Sequence, residues 1–296
     1  MILSIFFSCR TYQQGYDFIH DYLFYFCMTM NSLLPQNPIS KYKHELNQQS
    51  DYTSHSEHVK NAIKIMENYQ FIQHLTDQEK NQLIQNIKVK KYYHNQLIYA
   101  QNSPTENVNI IVEGTLKLGW TTPSGKYHTS LFMPAGTLIN IVPVIANQPL
   151  IYDHIAQGNT IIANISSEIF VNSIQNNAKA LFMVLKLICN RTQMNREHIF
   201  YFSAEPLHIR LAKELLFLVE YHAYQQNNRF LLDFKLSQEN IAELLHTTRQ
   251  SINKELSSFA KAGILLIKYN QIHILDYKKL SEIANGDNLS TTTKFL

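Results

Sequence analysis

The chain is short of cysteine. It holds three in 296 residues, Cys9, Cys27 and Cys189, with no Cys-x-x-Cys pair among them. An odd, scattered set excludes a disulfide framework and leaves a structural zinc site without ligands. Long apolar runs are missing too. No stretch reaches the roughly 18 residues needed to span a bilayer. The apolar residues 2–7 are too few for a signal-peptide core, and no Lys or Arg precedes them. These absences predict a reduced, cytoplasmic protein with no membrane partner. Charge of one sign is also scarce. The net charge is +3, and from Pro206 onward 11 Lys and Arg face 9 Asp and Glu. Affinity for a polyanion must therefore come from local placement rather than bulk charge.

At this length the chain divides into units with separate cores. Residues 1–60 read as an N-terminal extension and polar linker: the first 30 are rich in Phe, Tyr and Ile without a period, and the next 30 in Asn, Gln, Ser and His. Met28 and Met30 are alternative translation starts, a reading that recovery of any native peptide from residues 1–27 would exclude. Residues 61–175 read as a β-rich unit. Ala62, Ile63, Met66 and Tyr69 begin it with a helix, and Thr76-Asp-Gln-Glu79 is a capping box. Residues 110–118 and 160–165 are strands, and the turns Pro123-Ser-Gly125 and Pro134-Ala-Gly136 punctuate short strands of a sandwich or jelly roll. Residues 176–205 form a long helix and hinge. Its Leu181, Leu185, Ile188, Thr192, Asn195, Ile199 and Phe202 step by four and three, the spacing of a two-helix seam, with Thr192 and Asn195 as polar register markers. The break at Ser203-Ala-Glu-Pro206 leads into residues 206–296.

The richest stretch is residues 236–261, LSQENIAELLHTTRQSINKELSSFAK. Ser237 is an N-cap, and Ile241, Leu244 and Leu245 make one apolar face. Thr248 caps a second helix whose Ile252, Leu256 and Phe259 face inward. Arg249, Gln250, Ser251, Asn253 and Lys254 face the other way. Arg pairs bidentately with guanine, Gln and Asn with adenine, and Ser with several bases. The apolar residues 264–275 after it, turning at Asn270-Gln271, read as a wing. The candidate DNA contacts are thus Thr248, Arg249, Gln250, Ser251, Asn253 and Lys254, with Ser237 and Gln238 from the first helix.

This order resembles the Crp/Fnr family of bacterial transcription regulators. The likeness runs from about Phe71 to Ala284 and is carried by residues 236–265, by NVNIIVEGTLKL with its Gly114 turn, and by FIQHLTDQEKNQL. It implies an α+β protein: an N-terminal antiparallel β jelly-roll barrel of the cyclic-nucleotide-binding kind, a long dimerisation helix and a C-terminal winged helix-turn-helix. It implies a homodimer on near-palindromic double-stranded DNA, with RNA polymerase as a further partner of an activator, and no enzyme activity. Arg249, Gln250 and Lys254 fall where the family places base-reading side chains. Gln250 stands where Glu is common, which predicts a half-site unlike that of the catabolite activator. His246 stands where the turn usually has Gly, and Glu255 replaces a usual apolar residue.

The family's cyclic AMP cassette uses a Gly-Glu pair and a downstream Arg. Here Asn140-Ile141 takes the Gly-Glu place, and no Arg or Lys lies between Gly136 and Ala163. A cyclic phosphate would find no cation, so cyclic AMP is not expected to be the effector. Cys9 and Cys27 cannot supply the four thiolates of an iron–sulfur cluster. His94, His128 and His154 offer no paired ligands for a cupin-type metal, so no cofactor is assigned; haem on one of them stays open. The apolar residues 138–151 either fill a ligand-free barrel or line a pocket for an apolar effector. The competing reading is a barrel that binds a protein or small ligand, or a cupin-like metalloprotein, beside a degenerate helix-turn-helix.

Overall fold

The computed structural model describes residues 54–122, 125–226, 229–268 and 271–286. The extension before residue 54, the turn residues Pro123 and Ser124, Asn270, and the side chain of Phe202 lie outside them. Helix α1 (Ser54–Glu67) and the short α2 (Gln70–Gln73) bring Ala62, Met66, Phe71 and Ile72 into the first core. Helix α3 (Asp77–Gln85) begins at the Thr76 capping box: Thr76 N donates to Glu79 Oε2 at 2.7 Å, and Glu79 N donates to Thr76 Oγ1 at 3.3 Å.

Six antiparallel strands follow: β1 (Lys88–Tyr92), β2 (Leu97–Tyr99), β3 (Asn107–Thr121), β4 (Tyr127–Pro134), β5 (Leu138–Ile139) and β6 (Asp153–Ser166). The order is β1-β6-β3-β4, with β2 on β6 and β5 on β3. The expectation of short strands is corrected. β3 and β6 run 15 and 14 residues, and pair from Asn107↔Ser166 to Gly119↔Asp153. Register shifts at residues 111–115 bend the pair, so one strand serves both ends of the sheet. Gly114 sits in the bend with φ 80°. A Cβ there would lie 2.3 Å from the Asn159 carbonyl oxygen, so only glycine fits. Successive residues point to opposite faces of a strand. Ile110 and Val112 therefore join the helix-covered core with Ile161, Ala163 and Ile165, while Ile111 and Ile162 join a second core with Leu116, Leu118 and Ile139.

Helix α4 (Ile141–Ala146) lies between β5 and β6, and α5 (Ser167–Gln175) leads to the long α6 (Ala178–Ala204). One face of α6 buries Ala180, Val184 and Leu187 on the sheet unit. The other leaves Leu181, Phe182, Leu185 and Ile199 exposed by 41%, 59%, 54% and 68%. Pro206 ends it, since proline lacks the N–H and clashes with the preceding turn.

The C-terminal unit starts with α7 (Leu207–His222). It adds a four-stranded sheet, β7 (Ala223–Gln226), β8 (Arg229–Leu232), β9 (Leu265–Lys268) and β10 (Gln271–Ile274), in the order β7-β8-β10-β9. Between β8 and β9 stand α8 (Gln238–Leu244) and α9 (Arg249–Lys261), and α10 (Tyr277–Ala284) closes the unit. The pairing Gln271↔Lys268 places Gln271 in β10 rather than in the turn where it was expected. The β7–β8 hairpin was not expected at all.

The two units touch. Phe132 of β4 is 1% exposed and sits in the C-terminal core, its ring 4.7 Å from that of Phe234. Thr129 N donates to Glu243 Oε2 at 3.0 Å, and Asn240 Nδ2 donates to Thr129 Oγ1 at 3.3 Å. The buried His222 ring places Nδ1 3.0 Å from Thr115 Oγ1 and Nε2 3.3 Å from the Phe132 carbonyl.

Candidate nucleic-acid interface

Helices α8 and α9 are set by their ends. Ser237 Oγ accepts from Asn240 N at 3.0 Å, and Thr248 Oγ1 accepts from Ser251 N at 3.1 Å. Each cap satisfies a first-turn N–H that the helix leaves unpaired. α8 ends in a reciprocal pair of bonds: Thr247 N donates to Ala242 O at 2.9 Å and His246 N to Glu243 O at 3.1 Å. That pattern needs a left-handed residue at its corner, and His246 supplies it with φ 47°. α9 ends the same way, through Ile264 N to Phe259 O at 3.0 Å and Gly263 N to Ala260 O at 3.0 Å, with glycine at the corner. Arg210 Nη1 of α7 donates to the Leu245 carbonyl at 3.2 Å and holds the turn from behind.

The inward face of α9 is anchored by Ile252, Leu256 and Phe259, at most 1% exposed. Arg249, Gln250, Asn253 and Lys254 are exposed on the outer face, with Ser251 half-buried beside them. Among the described residues the side chains of Arg249, Gln250 and Lys254 form no hydrogen bond, so their donors are available to a ligand. The other five candidates differ. Ser237 and Thr248 spend their hydroxyls on caps, and Ser251 Oγ lies 2.9 Å from Thr248 Oγ1. Gln238 Nε2 donates to Asn253 Oδ1 at 3.1 Å. Glu255 is half-buried rather than packed in the core.

The segment around Asn140 is tied together by its own polar side chains. Asn140, left-handed at φ 66°, precedes α4. Its Nδ2 donates to Asn109 Oδ1 at 2.7 Å, and Asn109 Nδ2 donates to Asn164 Oδ1 at 2.7 Å and to Tyr99 Oη at 2.9 Å. Asn164 Nδ2 donates to the Lys88 carbonyl at 3.0 Å. At the other end His154 Nε2 lies 3.1 Å from Asn140 Oδ1, and His154 Nδ1 lies 3.0 Å from the Tyr152 carbonyl. Both ends of this chain are carbonyl acceptors, so with a neutral ring it is one proton short. Burial nevertheless opposes the charge. It pushes the His154 pKa down to about 4, against smaller raising effects of the Tyr152 carbonyl and Asp153.

Of residues 138–151, Leu138, Ile139, Ile141, Val144 and Leu150 fill the cores, while Val142, Ile145 and Ile151 are exposed. The buried Tyr69 hydroxyl donates to the Gly136 carbonyl and accepts from Leu138 N, both at 2.7 Å, fixing the turn before this segment. His94, His128 and His154 stand apart: His94 Nδ1 accepts from Gly158 N at 3.1 Å, and the His128 ring stacks on Trp120 at 5.8 Å. Among the described residues no three His, Cys, Asp or Glu side chains converge as metal ligands, and no helix is long and apolar enough to cross a membrane. The exposed face of α9, the wing and the sheet unit joined by one long helix define a two-domain DNA-binding regulator.

Comparison with known proteins narrows the class. A cyclic nucleotide-binding domain model matches residues 89–177, and a Crp-like helix-turn-helix domain model matches residues 209–283. The chain is 20% identical over 187 residues to the CRP-like cAMP-activated global transcriptional regulator of Mycobacterium tuberculosis, covering 63% of this chain and 84% of that protein. It is 26% identical over 215 residues to the fumarate and nitrate reduction regulatory protein of Vibrio cholerae, covering 71% and 84%. In fold it is similar to a CRP-family transcriptional regulator from Thermus thermophilus, with TM-score 0.56 and 18% identity over 66% of this chain and 96% of the other. FixK2 from Bradyrhizobium japonicum matches with TM-score 0.58 and 16% identity over the same 66% and 96%. The chain belongs to the Crp/Fnr family of transcription regulators.

Proposed function

We propose that this regulator binds a near-palindromic duplex as a homodimer and reads it with α9. The observation that carries this is the outer face of α9, where Arg249, Gln250 and Lys254 are exposed above a fully anchored inner face. Arg249 and Gln250 are the primary readers, for guanine and adenine, and Lys254 reaches a base or a phosphate. Thr248, Ser251 and Ser237 serve mainly to fix the helix starts, close to the phosphates. Dimerisation is supported by the exposed apolar stripe on α6, since stripes of this kind mark interaction surfaces. In this reading residues 61–175 are the sensor, 176–205 the dimer helix and hinge, and 206–296 the DNA-binding unit, with 1–60 an extension.

Cyclic AMP is not the effector in this reading. Asn140, which stands in the Gly-Glu place of the cyclic AMP cassette, bonds to both Asn109 and His154, and the segment carries no cation. The protein acts in the cytoplasm, has no catalytic role, and contacts RNA polymerase if it activates. Selection from a random duplex pool followed by footprinting tests the proposal. Two inverted half-sites with centres about 34 Å apart are expected, one turn of the duplex. A single unpaired half-site, or recovery of the catabolite activator's own half-site, would contradict it.

A further inference from the structure

A cleft of about 50 Å3 lies between α2 and α6, open to solvent on one side. The buried Tyr69, Phe71 and Leu187 form its floor with Met183. That floor is fixed in place. The Tyr69 ring lies 6.1 Å from Phe71, and Phe71 meets Phe170 edge-on at 5.8 Å. The Tyr69 hydroxyl is tied to Gly136 and Leu138. The rim is polar, with Gln70 from α2 and Lys186 and Asn190 from α6. Among the described residues these three side chains form no hydrogen bond or ion pair, and no Asp or Glu lines the cleft. We propose that the cleft binds the carboxylate of a small organic acid, with Lys186 and Asn190 as its donors.

Charge and size select this ligand. Lys186 and Asn190 are four apart, so they are neighbours on one helix face and can meet the two oxygens of one carboxylate. The Lys186 bond would be charge-assisted. The Asn190 amide has no other partner and is free to turn Nδ2 toward the anion. A second cation stands beside them. Arg191 directs its guanidinium to the Tyr69 hydroxyl, its only polar partner among the described residues, and no carboxylate offsets its charge. Burial accordingly lowers the Arg191 pKa. This stretch of α6 thus carries uncompensated positive charge, which draws an anion. A water takes about 10–15 Å3, so the cleft has room for about three to five heavy atoms. A carboxylate with its α carbon fits that space, and a phosphate ester overfills it. The apolar floor suits the α carbon, and the rest of the acid projects through the open side. A bound acid would bridge α2 to α6.

The site lies in the sensor unit and its test needs no DNA, so its failure leaves the reading by α9 untouched. Met183 lines the cleft and is the probe. Full-length protein carrying 13C-methyl methionine is titrated by NMR with sodium acetate, against sodium chloride at matched ionic strength. Met183→Leu assigns the signal. A saturable shift of the Met183 methyl is expected with acetate and not with chloride, while the methyl of Met133, packed on the second core, stays in place. Lys186→Met should raise the acetate Kd at least tenfold, the size of a hydrogen bond to a charged group, and Asn190→Ala roughly three- to tenfold. Lys186 is exposed, so its replacement leaves the core intact. The proposal is overturned if the signal moves alike in both salts, if it drifts without saturating, or if both variants bind acetate as wild type does. Sodium phosphate is the third arm, and saturation at a lower concentration than acetate would overturn the assignment to a carboxylate.

Discussion

Acidification pits two effects against each other at His154. The ring is 3% exposed, and burial brings its pKa from the ordinary 6.5 to about 4. The unfolded chain takes up the proton near pH 6.5, whereas the folded ring stays neutral until about pH 4. Between those values the unfolded state binds more protons, so the contribution to stability is complete above pH 6.5 and is lost as the pH falls toward 4. A gap of that size corresponds to roughly 3 kcal/mol across the window. Urea unfolding of the full chain at pH 7.5, 6.0 and 5.0, set against His154→Gln, isolates this part because other groups titrate in both proteins. Wild type should lose stability relative to the variant as the pH drops. A flat difference would show that burial does not govern the ring. A reversed slope, with wild type gaining in acid, would show that the chain from Lys88 to Tyr152, closed by acceptors at both ends, takes the missing proton and holds an imidazolium. Either result refutes the reasoning.

His246→Gly should raise the urea midpoint by an amount equal to about 1 kcal/mol, because glycine adopts the left-handed corner of the helix-turn-helix without the steric cost of a Cβ; an unchanged or lower midpoint would mean that other contacts of the His246 side chain outweigh the strain. Glu243→Ala removes the acceptor for the Thr129 amide, a charge-assisted bond between the two units. Hydrogen exchange at that amide should speed up about tenfold or more. Exchange that stays at the wild-type rate would mean that the packing of Phe132 on Phe234 protects β4 unaided.

What could be read in the sequence was local. Ser237 and Thr248 as caps, and the three-and-four spacing of Ile252, Leu256 and Phe259, need only neighbours within one or two turns, so the helix-turn-helix was legible residue by residue. The left-handed corner at His246 and the turn at Gly114 were expected only through the resemblance to the family, which has glycine at both places. Features built from distant partners were not legible. The Asn109–Asn164 bond joins residues 55 apart, and the Thr129–Glu243 bond joins residues 114 apart. Nothing local distinguishes Asn109 from a solvated asparagine, yet it is fully buried. The β7–β8 hairpin was missed although Asn227 and Asn228 stand between its two strands, because each strand is four residues long and alternation over so short a run is weak. The pairing of Gln238 with Asn253 depends on how two helices cross, which spacing alone does not specify.

The central claim is that Arg249 reads a base rather than merely neutralising a phosphate. The most direct measurement compares wild type with Arg249→Ala on the selected site and on a random duplex at the same salt concentration. The account predicts a loss of roughly 1–3 kcal/mol on the selected site, relaxed sequence choice at one step, and a much smaller change on the random duplex. An equal loss on both duplexes would contradict it.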